Sequence, residues 1–154
     1  MVTLEPSDAI ARVYVEQGPK IWRSLYAFSG DGEVASDALA EAIAQALARG
    51  DSLMAPDRWI WAASFRIAAG ELKRRGRDRR LEEGSYTMPE PTVDLVRALR
   101  TLSPRQRAVV ILSLYADYST KETARILGAS PATVRVHLSQ GRKRLRALLE
   151  DADG

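Results

Sequence analysis

Residues 119–146 read STKETARILGASPATVRVHLSQGRKRLR, and this stretch decides the fold. Ser119 and Glu122 stand at the Ser-x-x-Glu spacing of a capping box, which satisfies the free N–H groups at the start of a helix. The pattern predicts a helix over 120–127, with Ala124 small enough for a second helix to pack closely against it. Gly128 suits the left-handed residue that ends a helix. Ser130 is a good N-cap for the next one, and Pro131 is tolerated in its first turn, where the missing N–H costs nothing. Two helices joined by a short Gly-containing turn make a helix-turn-helix, whose second helix enters the DNA major groove. In that second helix Val134, Leu138 and Leu145 share one face, while Thr133, Arg135, His137, Arg142, Lys143 and Arg144 lie off it. An amphipathic hairpin built only for packing would not need so much positive charge.

Working outward, the rest of the chain also reads as helix. Towards the C-terminal stretch, Ser103-Pro104-Arg105-Gln106 is a second capping box with Pro in the first turn, opening a helix to about residue 116 with Val109, Val110, Leu112 and Leu114 inward. Before it, residues 92–102 form a helix on Val93, Val96 and Leu99. Residues 81–91, LEEGSYTMPEP, hold Gly, Ser, two Pro and acids without periodicity, and read as a linker. Further back, residues 57–75 form a helix that can extend past Gly76, with Ile60, Trp61, Ser64, Phe65, Ala68 and Leu72 buried. Residues 33–49 form a helix with Val34, Leu39, Ile43, Leu47 and four alanines on its apolar face. Between residues 8 and 28 apolar residues recur at helical spacing, but Gly18-Pro19 interrupts them, which predicts two short helices or one sharply kinked helix. No strand signal rises above these. The expected fold is all-α, two small helical domains joined by a flexible linker, with domains at 1–80 and 92–150 around the linker 81–91.

Composition narrows the function. The chain has 154 residues, 45% hydrophobic and 28% charged, which is globular rather than disordered. With no cysteine there is no disulfide framework, Cys-based zinc site or thiol chemistry. No apolar run approaches the ~20 residues that span a bilayer, and the N-terminus has no basic start followed by an apolar core. A cytoplasmic protein is the expectation. No nucleophile–base pair, metal cluster or phosphate-cradling glycine loop is present, so neither an enzyme nor a cofactor is expected. The net charge of +3 is uneven. Residues 1–57 and 81–100 are acidic on balance, and residues 58–80 and 101–154 basic, suggesting two nucleic-acid contacts and one surface for another partner. KRRGRDRR at 73–80 is denser in bases than a solvated face requires. Asp37, Glu41 and Gln45, four apart, make a stripe that reads either as a solvated face or as a partner surface.

Taken together the chain resembles the extracytoplasmic-function sigma factors, minimal two-domain bacterial transcription initiation factors, over about nine tenths of its length. Residues 102–149 are similar to the family's fourth conserved region, with matches at Leu102, Ser103, Arg107, Glu122, Ala124, Gly128, Ser130, Thr133, Val134, Arg135, Leu138, Arg142 and Leu145. The second conserved region is matched more weakly, by Asp37, Leu39, Glu41, Trp59, Leu72, Lys73 and Arg74. The chain departs from it at Ser36, residues 40–42, Arg66 and Gly70. The resemblance implies core RNA polymerase and promoter DNA, including a melted −10 strand, as partners, and an anti-sigma factor as a regulator. It implies polymerase docking through Asp37, Glu41 and Gln45. For the −10 element and backbone it implies Arg58, Trp59, Arg66, Lys73, Arg74 and Arg77, with Trp59 or Trp61, but not both, stacking on a base. For the −35 element it implies Ser130, Thr133, Arg135, Val136, His137, Arg142 and Lys143. Arg135 is placed for a bidentate contact to guanine, and Arg142 and Lys143 for the backbone. Val136 and His137 stand where the family usually has Ser and Arg, so the −35 sequence differs and one contact is pH-sensitive or absent. A linker over 78–91 reaches about 45–50 Å when extended. With domains ~25 Å across, that suffices for promoter elements roughly 58 Å apart at ~3.4 Å per base pair. Two other readings remain: a helix-turn-helix regulator acting without polymerase, and a divergent sigma-like protein that has lost docking or −10 recognition.

Overall fold

The computed structural model describes residues 5–78 and 90–153, and all the regular structure among them is helical. The chain divides into two units, residues 1–78 and 79–154. The predicted linker lies almost wholly outside the described residues.

In the first unit α1 (Pro6–Ser29), α2 (Gly32–Arg49) and α3 (Pro56–Asp78) pack mutually as a three-helix bundle. Its core holds Ile10, Ile21, Leu25 and Phe28 from α1, Val34 and Leu39 from α2, and Ile60, Trp61 and Phe65 from α3. Four buried alanines on α2 (Ala35, Ala38, Ala42 and Ala46) keep the helix axes close. Phe28 and Phe65 meet with ring centroids 5.3 Å apart. The expected break at Gly18-Pro19 does not occur: α1 runs through Pro19 as one helix. Proline lacks the N–H that would bond the Val15 carbonyl. Val15 is 73% exposed, so water can take that carbonyl, and the burial of Ile10, Ile21 and Leu25 along one stripe holds the helix together. Leu47, expected in the core, is half-exposed near the end of α2.

Asp31 fixes the corner between α1 and α2. Gly30 ends α1 at φ 71°, and Asp31 Oδ1 accepts from the N–H groups of Glu33 (2.8 Å) and Val34 (3.3 Å). Its other oxygen accepts from Arg75 of α3, which also donates to Glu71 at 3.3 Å. Burial alone would raise the Asp31 pKa, but the Arg75 guanidinium and the two backbone N–H groups outweigh it and hold the carboxyl below its ordinary value.

The second unit contains α4 (Glu90–Arg100), α5 (Pro104–Val110), a π-helical turn (Ile111–Tyr115), α6 (Thr120–Leu127) and α7 (Pro131–Asp153). Helix α4 begins two residues before the expected 92. The Ser103 capping box forms in both directions, Gln106 N–H to Ser103 Oγ and Ser103 N–H to Gln106 Oε1, each at 3.2 Å. Arg107 is buried, and its Nε and Nη2 donate to the Leu99 and Leu102 carbonyls at 3.0 and 3.2 Å. The Leu99 carbonyl is in the last turn of α4 and the Leu102 carbonyl is in the connection to α5, so Arg107 ties the α4–α5 corner. Burial, with Arg100 nearby, lowers its pKa from the ordinary value. The expected helix through residue 116 widens after Val110: the Ala116 N–H reaches the Ile111 carbonyl at 3.0 Å. The wider turn changes the register, so Ile111 is buried and Leu114, expected inward, is half-exposed.

Candidate nucleic-acid interface

The helix-turn-helix is built by local capping. Ser119 Oγ accepts from the Glu122 N–H and Glu122 Oε1 from the Ser119 N–H, both at 3.1 Å. Gly128 takes φ 65° at the end of α6, and the Ala129 N–H bonds back to the Ala124 carbonyl at 2.9 Å. Ser130 Oγ then accepts from the Thr133 N–H at 3.1 Å and shares a 2.8 Å hydrogen bond with Thr133 Oγ1. Val109 of α5, Ala124 of α6 and Val134 of α7 form the small core that sets the two helices, with Leu127, Ala129 and Leu138 around it. Two further contacts seat α7 on α5. Gln106 Nε2 donates to Gln140 Oε1 at 3.1 Å. Gly141 is buried where a Cβ would lie 2.7 Å from Val110 Cγ2.

With the inner face of α7 so used, Arg135, Val136, Arg142 and Lys143 are exposed. Arg135 and Arg142 are seven residues apart, as are Val136 and Lys143. Each pair therefore lies near one line of the helix, about 10 Å apart along it at ~1.5 Å per residue. Apolar and forked side chains thus stand near the N-terminal end, and cations further along. Ser130 and Thr133 are partly engaged with each other. His137 is half-buried with Nδ1 inside and without a hydrogen-bond partner, so only its Nε2 remains to meet a ligand.

The first unit presents two separate features. On α2, Asp37 and Glu41 are exposed, and half-buried Gln45 donates through Nε2 to Glu41 Oε1 at 2.9 Å. The stripe borders a groove between α2 and α3 whose far side includes Ile67, Glu71 and Arg74. On α3, Arg66 and Lys73 are exposed on the side away from the core, and Arg58 and Trp59 are half-buried in the first turn. The tryptophans separate clearly. Trp61 is 1% exposed, with Nε1 donating to Gln17 Oε1 at 2.9 Å, so it is a core residue and cannot stack on a base. Trp59 stays accessible, and the Arg49 guanidinium lies 5.0 Å from its ring centroid. Arg74 pairs with Glu71, and the Arg77 side chain lies outside the described residues.

Sequence reasoning missed Arg49, Arg75 and Gly141, and it named Arg107 only as a family match, without the corner it ties. For Gly141 a signal existed, because a glycine in a helix interior disfavours the helix and calls for a packing reason. The arginines gave little: the Glu71–Arg75 spacing was readable as an i,i+4 pair, but the Asp31 partner of Arg75 is remote in sequence and Arg107 bonds backbone carbonyls.

Residues 92–145 match the family model described as sigma-70, region 4. An RNA polymerase sigma-E factor of Streptomyces avermitilis is 35% identical over 116 residues, 62% of this chain and 65% of that one. A sigma-E factor of Streptomyces antibioticus is 34% identical, with 64% of its length covered. The chain thus spans just under two thirds of these Streptomyces relatives. The ECF RNA polymerase sigma factor SigL of Mycobacterium tuberculosis is 24% identical over 155 residues, covering 90% of this chain and 88% of that one. Among solved structures, the sigma factor RpoE of Bartonella quintana, in complex with the anti-sigma factor NepR, has a TM-score of 0.77 at 21% identity, over 92% of this chain and 97% of that one. CnrH, in complex with the cytosolic domain of CnrY, has a TM-score of 0.71 at 25% identity, over 95% and 90%.

Proposed function

We propose that the chain is an extracytoplasmic-function sigma factor that binds core RNA polymerase, recognises a two-part promoter and helps open it. The observation that supports this most is the solvent face of α7. Arg135, Val136, Arg142 and Lys143 are exposed on the second helix of a fully capped helix-turn-helix, inside the region matched to sigma-70 region 4. In this reading Ser130, Thr133, Arg135, Val136 and His137 face the −35 bases, and Arg142 and Lys143 the phosphates. Helix α3, through Arg58, Trp59, Arg66, Lys73, Arg74 and Arg77, holds the −10 element and its melted strand. The exposed Asp37 and Glu41, with Gln45, dock on polymerase. An anti-sigma protein is a further partner, by analogy with RpoE held by NepR and CnrH held by the cytosolic domain of CnrY.

The first test is co-purification with core RNA polymerase, beside an Asp37→Arg/Glu41→Arg variant. Both side chains are exposed, so the fold should survive the change. Core binding by the wild type that is lost in the variant is the expected result. A wild type that binds promoter DNA but never core polymerase would overturn the proposal.

A further inference from the structure

His137 is the chain's single histidine. It lies in the second turn of α7, four residues after Thr133 and four before the buried Gly141. The ring is half-buried, and its two nitrogens have different surroundings. Nδ1 is buried and has no hydrogen-bond partner among the described residues, so Nε2 is the nitrogen left at the surface. Packing around the ring is completed by other residues. Val109, Ala124 and Val134 close the cluster that sets α6 and α7, and Gln140 and Gly141 seat α7 on α5. The nearby hydroxyls of Ser130 and Thr133 already bond one another at 2.8 Å.

A neutral imidazole carries one hydrogen, on either nitrogen; that nitrogen donates and the other accepts. Inside proteins an orphaned N–H is rarer than an under-satisfied acceptor. The hydrogen therefore belongs on Nε2. We infer that His137 meets the duplex as an uncharged side chain with one donor and no acceptor: Nδ1 keeps its lone pair inside the fold, and Nε2–H donates to an acceptor of the −35 DNA. Purine N7, guanine O6 and thymine O4 accept such a hydrogen, as does a phosphate oxygen, whereas the amino group of cytosine cannot. The arginine usual at this place in the family that the chain resembles would bring a fork and a charge. His137 brings neither, so its contact selects by the position of one donor and releases no counterion. The inference rests on the reading of α7 as the −35 helix, and deepens it by fixing which groups of the DNA this residue can meet.

Two measurements on the full chain at neutral pH test it. With isotope-labelled histidine, a long-range proton–nitrogen correlation spectrum shows a single ring, because the chain has one histidine. The expected pattern is a protonated Nε2 and a bare Nδ1. Hydrogen on Nδ1, on both nitrogens, or shared evenly between them would overturn the inference. Binding is then titrated across a range of salt on a duplex that the wild-type chain enriches from a randomised −35 pool, and on its single-base variants. Circular dichroism checks helix content in every protein variant. His137→Ala should weaken binding by about 2- to 13-fold, with the slope of log K against log salt unchanged. His137→Gln, which can carry an amide N–H to the same place, should recover most of the loss. Discrimination lost at one base puts the acceptor on that base, and an equal loss on every sequence puts it on a phosphate; one uncharged donor accounts for either. A slope lowered by about 0.9 would mark a charged contact and overturn the inference. If His137→Ala binds like wild type while Arg135→Ala and Lys143→Ala are weakened, the inference fails and the −35 reading of α7 survives. If no duplex is enriched, or none of the three alanine variants is weakened, both fall.

Discussion

Replacing Gly141 by alanine tests how α7, the second helix of the helix-turn-helix, is seated on α5. The added Cβ would lie 2.7 Å from Val110 Cγ2, with the Gln106 carbonyl oxygen at 3.7 Å behind it. Val110 is buried and β-branched, so its methyl has few rotamers into which to retreat. Overpacking of this kind costs about 1–3 kcal/mol. Against it stands the gain in helix propensity from Gly to Ala, about 1 kcal/mol in a helix interior. Gly141→Ala should therefore fall between neutral and about 2 kcal/mol less stable. Gly70 on α3 supplies the contrast, because nothing lies within 4 Å of a Cβ added there. Gly70→Ala should gain about 1 kcal/mol without opposition. Val110→Ala alone removes two buried methyl groups, about 1.6 kcal/mol at ~0.8 each, plus a cavity. In the double variant the alanine at 141 refills part of that cavity and meets no methyl. The pair should thus be about 1–3 kcal/mol more stable than the sum of the single changes, a coupling typical of touching residues. Thermal unfolding followed by circular dichroism, fitted as two transitions for the two units, reads these changes at about 4–8 °C per kcal/mol. If Gly141→Ala raised the melting temperature as Gly70→Ala does, and added simply to Val110→Ala, the close approach of α7 to α5 would be wrong.

On promoter DNA, Arg135→Ala should relax discrimination at a single −35 position by about 1–3 kcal/mol. Lys143→Ala should weaken all sequences alike and lower the salt slope by about 0.9. Titrations against a panel of single-base promoter variants separate the two effects, and identical profiles would contradict the assignment of α7. Asp31 has a folded pKa below its unfolded value of about 3.8, so the stability it contributes is present above that value and lost as pH falls through the folded one. Asp31→Asn keeps a capping oxygen but cannot ionise. Its first unit should be less stable at neutral pH and lose less stability than wild type on acidification below about pH 4. Unfolding at fixed pH steps measures this, and parallel curves would refute it. Arg107→Ala should cost the second unit about 2–3 kcal/mol by leaving the Leu99 and Leu102 carbonyls without their charged donor. Arg107→Lys should recover little, because one ammonium cannot reproduce the fork. A urea midpoint for Arg107→Lys equal to wild type would count against that corner.

How much of this was legible in the sequence follows from the range of each interaction. Ser103, Ser119 and Ser130 cap through residues three positions on, and Gly128 acts through its own backbone, so residue type and spacing were enough. The core stripes of α2 and α3 were readable for the same reason, except that Ile43 and Leu72 are only partly buried and Leu47, near the end of α2, is half-exposed. Pro19 misled because its local cost is real and is outweighed by tertiary burial on either side. Leu114 misled because a π-turn changes the register after Val110, and its cause lies in packing rather than in the residues themselves. Pairs such as Trp61–Gln17 and Arg75–Asp31 are each 44 residues apart, and no local pattern announces them.

The same distinction of range decides what a count of cations means in this protein. In KRRGRDRR at 73–80, six bases in eight residues suggested a phosphate-binding run. Yet successive helical residues turn by about 100°, so neighbours in the run have different work. Lys73 points to solvent, Arg74 pairs with Glu71, and Arg75 crosses to the cap of α2. In the second unit Arg107 is likewise spent on backbone carbonyls, while Arg135, Arg142 and Lys143 stand outward. Net charge draws a protein to DNA, but the fold has already assigned some of those charges to its own corners. The cations left for phosphate are the ones whose helix register carries them away from every carboxylate and carbonyl the fold must satisfy. On α3 that register leaves Arg66 and Lys73 exposed on one line, seven residues apart, while Arg58 is half-buried in the first turn and Arg74, though exposed, is paired with Glu71.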